Sequence, residues 1–250
     1  MGELSDSAAR TMANAAGRRD VGRRAGFVDR AAKRALDVVV SALLLTVLAI
    51  PIALCAVAIK LDSRGPVFYR ASRAGYRDRT LRLIKFRKMV DGATGDALTG
   101  VADPRFTRMG GFLARTKLDE VPQLWNVLRG EMSLVGPRPE DPSFVALHPD
   151  EYREILAVRP GVTGLCQLAF AKESAILDPN DRLGHYVADI LPQKVRLDTL
   201  YARTRSFRGD LRILLWTVMP VLLRVDVAVN RTSGDLTVRR RPATSSSSSA

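Results

Sequence analysis

An adjacent pair of carboxylic acids, Asp119 and Glu120, is the feature of this chain best suited to chemistry. The pair stands just before a helix-like apolar run that ends in a Gly-Pro-Arg-Pro turn at 136–139, which contains Arg138. Arginine binds phosphate oxygens, and a carboxylate can serve as a nucleophile or a metal ligand. Paired carboxylates among arginines therefore indicate phosphate chemistry.

The same acid pair also fits a structural role. Thr116 and Asp119 match the Ser/Thr-x-x-acid pattern of a helix start, and Pro122 is tolerated near a helix N-terminus. A carboxylate in that position is held anionic by the helix dipole, which is the state that a nucleophile needs. Helix capping and catalysis by Asp119 are both open on the residues alone.

Five cations are candidates for binding phosphate. Arginine offers a bidentate geometry that lysine lacks, and the prolines at 137 and 139 favour an extended backbone around Arg138. The formal net charge of the chain is +13, so any one cation taken alone is more often a solvated surface charge. The candidates, chosen for their positions in sequence motifs, are Lys85, Arg87, Arg115, Arg138 and Arg159.

A long apolar segment precedes these residues. Residues 38–59 contain no charged side chain, and at about 1.5 Å per residue such a helix just reaches across a hydrocarbon core of about 30 Å. Both flanks are basic, with eight Lys/Arg against four Asp/Glu in residues 1–34 and ten against two in residues 60–88. The positive-inside rule keeps both flanks cytoplasmic, and Pro51 favours a kink. These features favour a re-entrant helix over 33–60; a spanning helix, a buried core helix and a signal anchor are the alternatives.

The rest of the chain divides into a folded part and two tails. Residues 1–32 and 231–250 lack apolar periodicity and are expected to be disordered. Residues 61–230 are expected to form one catalytic domain, in which helices dominate. Its run 213–223 fits an interfacial helix and a core helix equally well.

One β-hairpin is predicted near the start of this domain. Residues 67–70 and 81–86 have strand-like composition, and they flank a segment that contains the turn residues Gly75 and Asp78.

Composition argues against several other classes of protein. The chain has two cysteines and two histidines in unrelated contexts, so a disulfide framework, a CxxC metal site and a histidine-based centre have little support. It shows no P-loop and no G-x-G-x-x-G after a strand. The positive charge implies an anionic partner, which could be nucleic acid, an acidic membrane or a phosphorylated substrate.

Three segments together resemble a known enzyme family: TKLDEVPQLWNVLRGEMSLVGPRP at 116–139, KFRKM at 85–89 and RPGVTG at 159–164. They resemble the bacterial sugar transferases, monotopic phosphoglycosyl transferases that load a sugar 1-phosphate from a nucleotide diphosphate sugar onto a polyprenyl phosphate. The resemblance covers about 33–225. It implies a mainly α fold with a small β-hairpin. It also implies a monotopic protein of the inner or plasma membrane, with an N-terminal re-entrant helix, interfacial helices and a cytoplasmic catalytic face.

The resemblance also implies roles for individual residues. Asp119 would attack the β-phosphorus of a UDP-sugar, expel UMP and hold the sugar phosphate until a polyprenyl phosphate accepts it. Glu120 would bind Mg²⁺, which bridges diphosphate oxygens. The reaction would initiate an exopolysaccharide or another glycoconjugate. The implied partners are polyprenyl phosphate and a nucleotide sugar, without nucleic acid; a homo-oligomer is left open.

Departures from the family pattern concern the substrate pocket more than the reaction. Ala114 and Lys117 stand where the family usually has Arg and Ser, so Arg115 is a candidate substitute for the missing arginine. Ile50 replaces the serine usually found before Pro51, and the residues after Gly164 differ from the family's usual continuation. The alternative function is a non-catalytic, membrane-attached basic protein that binds nucleic acid or anionic lipid.

Overall fold

The computed structural model describes residues 27–95, 98–100, 103–171, 173–178, 180–223 and 225–239. The remaining parts of the two predicted tails, 1–26 and 240–250, lie outside the described residues. The elements in chain order are α1 (Phe27–Val47), α2 (Ala49–Asp62), β1 (Phe68–Ala74), β2 (Thr80–Phe86), α3 (Arg108–Thr116), α4 (Gln123–Leu128), β3 (Ser133–Val135), α5 (Pro142–Val145), α6 (Pro149–Ile155), β4 (Gly161–Thr163), α7 (Leu165–Ala169), α8 (Glu173–Ile176), α9 (Arg182–His185), α10 (Leu191–Thr204), α11 (Phe207–Leu223), β5 (Asp226–Val229) and β6 (Leu236–Arg239).

The predicted apolar helix is present as two helices joined at Leu48. Pro51 lacks the N–H that would bond to the carbonyl of Val47, and its ring crowds that carbonyl, which accounts for a break one turn earlier. Among the described residues no single helix is long and apolar enough to cross a bilayer; α1 and α2 meet that requirement only as a pair, bent by 60°.

Polar bonds hold α1 to the folded domain. The Arg34 guanidinium donates to the carbonyls of Val127 and Leu128 at the end of α4, at 2.7 and 2.8 Å. The buried Asp37 carboxylate accepts from the Ser133 hydroxyl at 3.1 Å and the Leu134 N–H at 3.0 Å. The first half of α1 therefore belongs to the domain, although its second half is largely exposed.

The predicted hairpin is confirmed. β1 and β2 pair in antiparallel register from Phe68 opposite Phe86 to Ala74 opposite Thr80. The turn places Arg77 and Asp78 at φ near +60°, a left-handed conformation that is costly for side-chain-bearing residues other than Asn and Asp. The Arg77 N–H donates to the Leu156 carbonyl at 2.7 Å, which fixes the tip of the hairpin against the end of α6.

The structure adds two short sheets that the sequence analysis did not predict. β3 and β4 form a buried parallel pair, and β5 and β6 form an antiparallel hairpin. The second sheet folds residues as far as 239, so the predicted disordered tail beginning at 231 is wrong for its first nine residues. The fold is mainly helical with small sheets, as expected, and its main core lies between β3, α6, α7 and α10.

Candidate active site

Asp119 lies in a tight 3-10 turn, Leu118–Glu120, between α3 and α4. The preceding Lys117 adopts a left-handed conformation (φ 60°), which ends α3 and starts the turn. The Thr116 hydroxyl donates back to the Phe112 carbonyl at 2.9 Å, so Thr116 closes α3. The predicted helix start at Thr116 is therefore wrong: α4 begins only at Gln123, without a side-chain cap.

The Asp119 carboxylate is buried next to one cation. Asp119 is 2% exposed, and its Oδ2 lies 3.6 Å from the Lys88 ammonium. At that separation the two groups form an ion pair but no hydrogen bond. The site thus holds a carboxylate that is screened from water and is compensated by a charge at a moderate distance.

Glu120 has closer partners. Its Oε1 accepts from Lys85 Nζ at 2.9 Å and from Arg138 Nη2 at 3.3 Å. The predicted residues Glu120, Lys85 and Arg138 are therefore brought together, beside Asp119. With Lys88, three cations face two carboxylates, and the excess positive charge favours an anionic ligand.

The electrostatic balance keeps Glu120 ionised. Burial raises the pKa of its carboxyl, but the charges of Lys85 and Arg138 outweigh burial and hold that pKa well below its usual value. Burial lowers the pKa of Lys85, because Glu120 offsets the cost only in part and Arg138 adds repulsion. Glu120 raises the pKa of Arg138 against the effect of burial.

The strand β2 and the helix α4 are joined by Asn126. Its Oδ1 accepts from the Ile84 N–H at 3.1 Å, and its Nδ2 donates to the Arg82 carbonyl at 3.0 Å. A side-chain amide thereby pairs with the free edge of β2 as a neighbouring strand would. This contact sets the distance between Lys85 on β2 and the turn that precedes α4.

The helix α3 links Lys88 to Asp119. A Cβ on Gly110 would lie 1.8 Å from the Lys88 carbonyl oxygen, so α3 touches the Lys88 backbone directly. The Asp62 carboxylate at the end of α2 accepts from the Met109 N–H at 2.9 Å. One end of α3 is thus fixed on Lys88 and on the apolar helix pair, and its other end leads into the turn of Asp119.

Arg87 makes structural contacts, and its predicted role in phosphate binding stays a prediction. Its guanidinium donates to the carbonyls of Pro66, Arg64 and Ser63 at 2.6, 2.8 and 2.9 Å. β2 ends at Phe86, so the alternation that would place Arg87 on the same side as Lys85 does not continue. Arg87 supports the connection between α2 and β1.

Among the described contacts, no hydrogen bond or ion pair joins the side chains of the two other predicted cations to this cluster. Arg159 is exposed; it donates to the Gly130 carbonyl at 2.8 Å and stacks 5.2 Å from the ring centroid of Tyr76. Arg115 is exposed in the last turn of α3. The substitution of Arg115 for the family's arginine stays a prediction.

Lys88 and Asp198 are site residues that the sequence analysis missed. Lys88 lies within the KFRKM motif. Which cation of that motif faces Asp119 depends on β2 ending at Phe86, and the sequence alone does not show where the strand ends. The Arg138 N–H donates to Asp198 Oδ2 at 3.3 Å, and burial raises the pKa of the Asp198 carboxyl to about 8. No sequence signal near 138 points to a residue 60 positions later.

The carboxylates are compatible with a shared metal ion. The described residues contain no group of three or more His, Cys, Asp or Glu that could hold a metal alone. Mg²⁺ in phosphate chemistry is commonly held by one or two carboxylates together with substrate phosphates. Glu120 and Asp119 can supply oxygens of that kind, provided that a diphosphate supplies the others.

Comparison with known proteins then decides the family. The family profile of bacterial sugar transferases matches residues 28–224. The chain belongs to the bacterial sugar transferase family. This confirms the resemblance on which the sequence analysis relied.

Individual relatives agree. An undecaprenyl-phosphate glucose phosphotransferase of Komagataeibacter xylinus is 43% identical over 200 residues, which are 76% of this chain and 36% of that protein. A UDP-glucose:undecaprenyl-phosphate glucose-1-phosphate transferase of Caulobacter vibrioides is 40% identical over 78% of this chain and 71% of its own length. An exopolysaccharide production protein, PSS, of Rhizobium leguminosarum is 38% identical over 79% of this chain and 98% of its own length. The chain thus spans about a third of the first relative but nearly all of the third.

Proposed function

We propose that this protein transfers a sugar 1-phosphate from a UDP-sugar to a polyprenyl phosphate, releasing UMP and initiating polysaccharide synthesis. The relatives named for such transfers to undecaprenyl phosphate support the substrate classes. The observation that carries the proposal is the buried Asp119 carboxylate. It lies 3.6 Å from Lys88 and next to Glu120, which Lys85 and Arg138 bind.

In the first step, an Asp119 oxygen attacks the phosphorus that bears the sugar. A bond forms between the carboxylate oxygen and phosphorus, the bond from phosphorus to the bridging oxygen of UMP breaks, and UMP leaves with that electron pair. Arg138 and Lys85 stabilise the charge on the phosphate oxygens. The loosely paired Asp119 is better suited to attack than Glu120, whose oxygen is bound by two cations.

In the second step, an oxygen of the polyprenyl phosphate attacks the same phosphorus. The bond to Asp119 breaks, and the carboxylate returns to its ionised form beside Lys88. The product carries a diphosphate between lipid and sugar. The reaction is thus two displacements at one phosphorus, with Asp119 as the nucleophile of the first and the leaving group of the second.

A divalent cation completes the proposed site. Glu120 would hold Mg²⁺ together with the substrate diphosphate, which leaves Asp119 free to attack. When bound, the ion supplies Lewis-acid neutralisation of the diphosphate charge.

The proposed location is the cytoplasmic face of the inner membrane. UDP-sugars are cytosolic, and a polyprenyl phosphate keeps its head group at the membrane surface, so the site must lie near that surface. Several side chains of the bent pair α1–α2 are exposed and apolar, Val47, Ile50 and Leu61 among them. A re-entrant pair buries this surface and leaves both basic flanks inside.

The reaction is tested with extracted protein, UDP-sugars and polyprenyl phosphate. We expect UMP release, and a sugar phosphate trapped on the peptide that contains Asp119 when the lipid is omitted. Asp119→Asn keeps the shape of the side chain and should carry no label, whereas Asp150→Asn, at an exposed position, should behave as wild type. Label retained on Asp119→Asn would contradict the assignment.

The metal is tested separately. Glu120→Gln should lower turnover per folded molecule, and because it removes the anion that pairs with Lys85 and Arg138 it should also lower the melting temperature. Undiminished turnover in excess chelator would rule out the ion.

The membrane arrangement is tested by cysteine labelling. Ser5→Cys and Thr232→Cys are introduced singly into a variant in which Cys55 and Cys166 are alanine. With a re-entrant pair, both positions stay protected from an impermeant reagent in intact cells. Labelling at position 5, with 232 protected, would show a spanning arrangement.

A further inference from the structure

A buried polar cluster lies next to the segment that carries Arg138. Lys194 is 3% exposed, and its ammonium contacts Glu140 Oε2 at 3.0 Å, Glu173 Oε2 at 3.2 Å and the Tyr186 hydroxyl at 2.6 Å. The Tyr186 hydroxyl donates to Glu140 Oε2 at 2.9 Å. We refer to Glu140, Tyr186 and Lys194 as the support triad.

The triad holds the segment that carries Arg138. Because prolines stand at 137 and 139, the Arg138 N–H is the one backbone donor of residues 137–139, and it donates to Asp198. The Pro137 carbonyl accepts from the Gly161 N–H at 2.8 Å, and the Glu140 carbonyl accepts from the Ala74 N–H at 3.0 Å. The Glu140 side chain adds the bonds to Tyr186 and Lys194, so the backbone on both sides of Arg138 is fixed.

Charge joins the triad to Arg138 as well. Burial raises the pKa of the Glu140 carboxyl, but Lys194 and Arg138 outweigh it, and the pKa is lowered. Glu140 and Glu173 in turn contribute to the raised pKa of Arg138. The Arg138 guanidinium therefore interacts electrostatically with Glu120 of the site and with Glu140 and Glu173 of the polar cluster.

The local fold around Tyr186 is unusual. Residues Tyr186–Ile190 form a π-helical turn between α9 and α10, and the Tyr186 ring packs 4.8 Å from that of Phe144. Such turns are rare and often accompany functional sites. This turn delivers the hydroxyl to Glu140 while the ring remains in the core.

We propose that Glu140, Tyr186 and Lys194 are positioning residues that fix Arg138 for the transferred phosphate; this rests on the proposed function. None of the three touches the reacting atoms. They act through the backbone at 137–140 and through the charge behind the guanidinium. A displacement of about 1 Å at a positioned group can cost about 100-fold in rate, so a rigid support for Arg138 has a large effect on turnover.

The test is a double-mutant cycle read in kcat and KM for UMP release. Glu140→Gln and Tyr186→Phe are made in the wild-type protein and in Arg138→Lys, which keeps a cation with different geometry. In the wild-type background each should lower kcat by about tenfold with a smaller change in KM, because alignment rather than binding is lost. In the Arg138→Lys background each should cost less than about twofold.

The cycle separates positioning from simple destabilisation. A smaller folded fraction lowers kcat by the same factor in both backgrounds, so equal losses would overturn the proposal. Tyr186→Phe keeps the ring against Phe144 and should fold even if Lys194→Met does not. Arg203 lies on α10, as Lys194 does; Arg203→Met removes an exposed ion pair with Glu154 of α6 and should leave kcat unchanged in both backgrounds.

Failure of the proposed function would be recognised separately. If the wild-type protein releases no UMP from any UDP-sugar, the same cycle is read in the ³¹P chemical shift of the β-phosphate of bound UDP, which reports the position of the Arg138 guanidinium. A change of chemical shift confined to the background with Arg138 intact would support the positioning role. An equal change in both backgrounds, or no change in either, would refute it.

Discussion

At the scale of single residues, the adjacent carboxylates Asp119 and Glu120 have different cation partners. Glu120 is bound by two cations at 2.9 and 3.3 Å, whereas the charge nearest to Asp119 is at 3.6 Å. A carboxylate whose lone pairs are engaged by cations is a weaker nucleophile than one that is only charge-compensated. The difference favours Asp119 for attack and Glu120 for holding cations.

The buried Asp198 predicts a pH dependence of stability. Its pKa is raised to about 8 by burial, against about 4 in the unfolded chain, so the native protein keeps a proton that the unfolded chain has released. This group therefore lowers the free energy of unfolding as pH rises from about 4 to 8. Asp198→Asn removes the effect, and its stability relative to wild type should rise by up to about 1.4 kcal/mol per pH unit in that window.

Thermal unfolding in detergent at pH 5, 6, 7 and 8 measures this difference. Asp150→Asn, whose side chain is 83% exposed, is the control and should run parallel to wild type. A constant offset between Asp198→Asn and wild type across the series would mean that Asp198 is already ionised at pH 5.

We expect lysine substitutions at Arg87 and at Arg138 to have opposite effects on stability and turnover. Arg87→Lys loses at least one of three charged hydrogen bonds to carbonyls and should lower the free energy of unfolding by about 2–3 kcal/mol. Turnover per folded molecule should stay unchanged. Arg138→Lys should lose turnover with little change in stability. Normal stability with reduced turnover in Arg87→Lys would restore the phosphate-binding role first predicted from the motif.

At the scale of elements, two neighbouring glycines of α3 have opposite requirements. A Cβ at Gly110 would meet the Lys88 carbonyl at 1.8 Å, whereas nothing lies within 4 Å of one at Gly111. Gly111→Ala should therefore stabilise the protein by up to about 1 kcal/mol through helix propensity. Gly110→Ala should displace α3 from the Lys88 backbone, lower the melting temperature and reduce turnover.

Melting temperature and UMP release of the two variants give the comparison directly, since each serves as the control for the other. Similar behaviour of both would show that α3 does not set the distance between Lys88 and Asp119.

Only the elements that carry a signal in neighbouring residues could be predicted from the sequence. Strand composition on either side of Gly75 and Asp78 was enough to find the β1–β2 hairpin, and Pro51 was enough to place a break in the apolar helix. β3 and β4 have three residues each and pair across 25 positions of chain, so no local pattern marks them. The β5–β6 hairpin did carry a signal, because apolar residues flank a turn with Asn230 and Gly234.

The same difference between local and tertiary information applies to the candidate site. Asp119, Glu120, Lys85 and Arg138 were found from motifs and lie together. Lys88 and Asp198 depend on where a strand ends and on packing between α10 and the 137–140 segment, which are tertiary facts. The three bonds from Arg87 to backbone carbonyls could not be predicted from the sequence, because they depend on the path of the chain at 63–66.

At the scale of the whole molecule, exposed apolar side chains gather on two parts of the chain. Leu43, Val47, Ile50 and Leu54 are more than half exposed on α1 and α2, and Leu215 is 62% exposed on α11. Leu211, Leu215 and Val218 recur at helical spacing, so they share one face of α11. A protein with a sequence pI near 10.5 and such faces is suited to an anionic membrane surface.

A spin label tests whether α11 meets lipid. Leu215→Cys and Leu147→Cys carry the label at positions that are 62% and 51% exposed, in the variant without native cysteines. In vesicles the label at 215 should be relaxed more by lipid-soluble oxygen than by a water-soluble nickel complex, and the label at 147 should show the reverse. Water-like relaxation at both positions would place α11 away from the membrane.

The bonds that hold α1 to the domain have a consequence for how the protein is made. Lys33 donates to the Val135 carbonyl and Asp37 accepts from Ser133, partners 102 and 96 residues further along the chain. At about 5–20 residues per second, the ribosome delivers those partners roughly 5–20 s after the helix has emerged. In the proposed membrane arrangement, this interval leaves the charged first half of α1 unpaired and lets the nascent apolar segment dock in the bilayer before the domain closes.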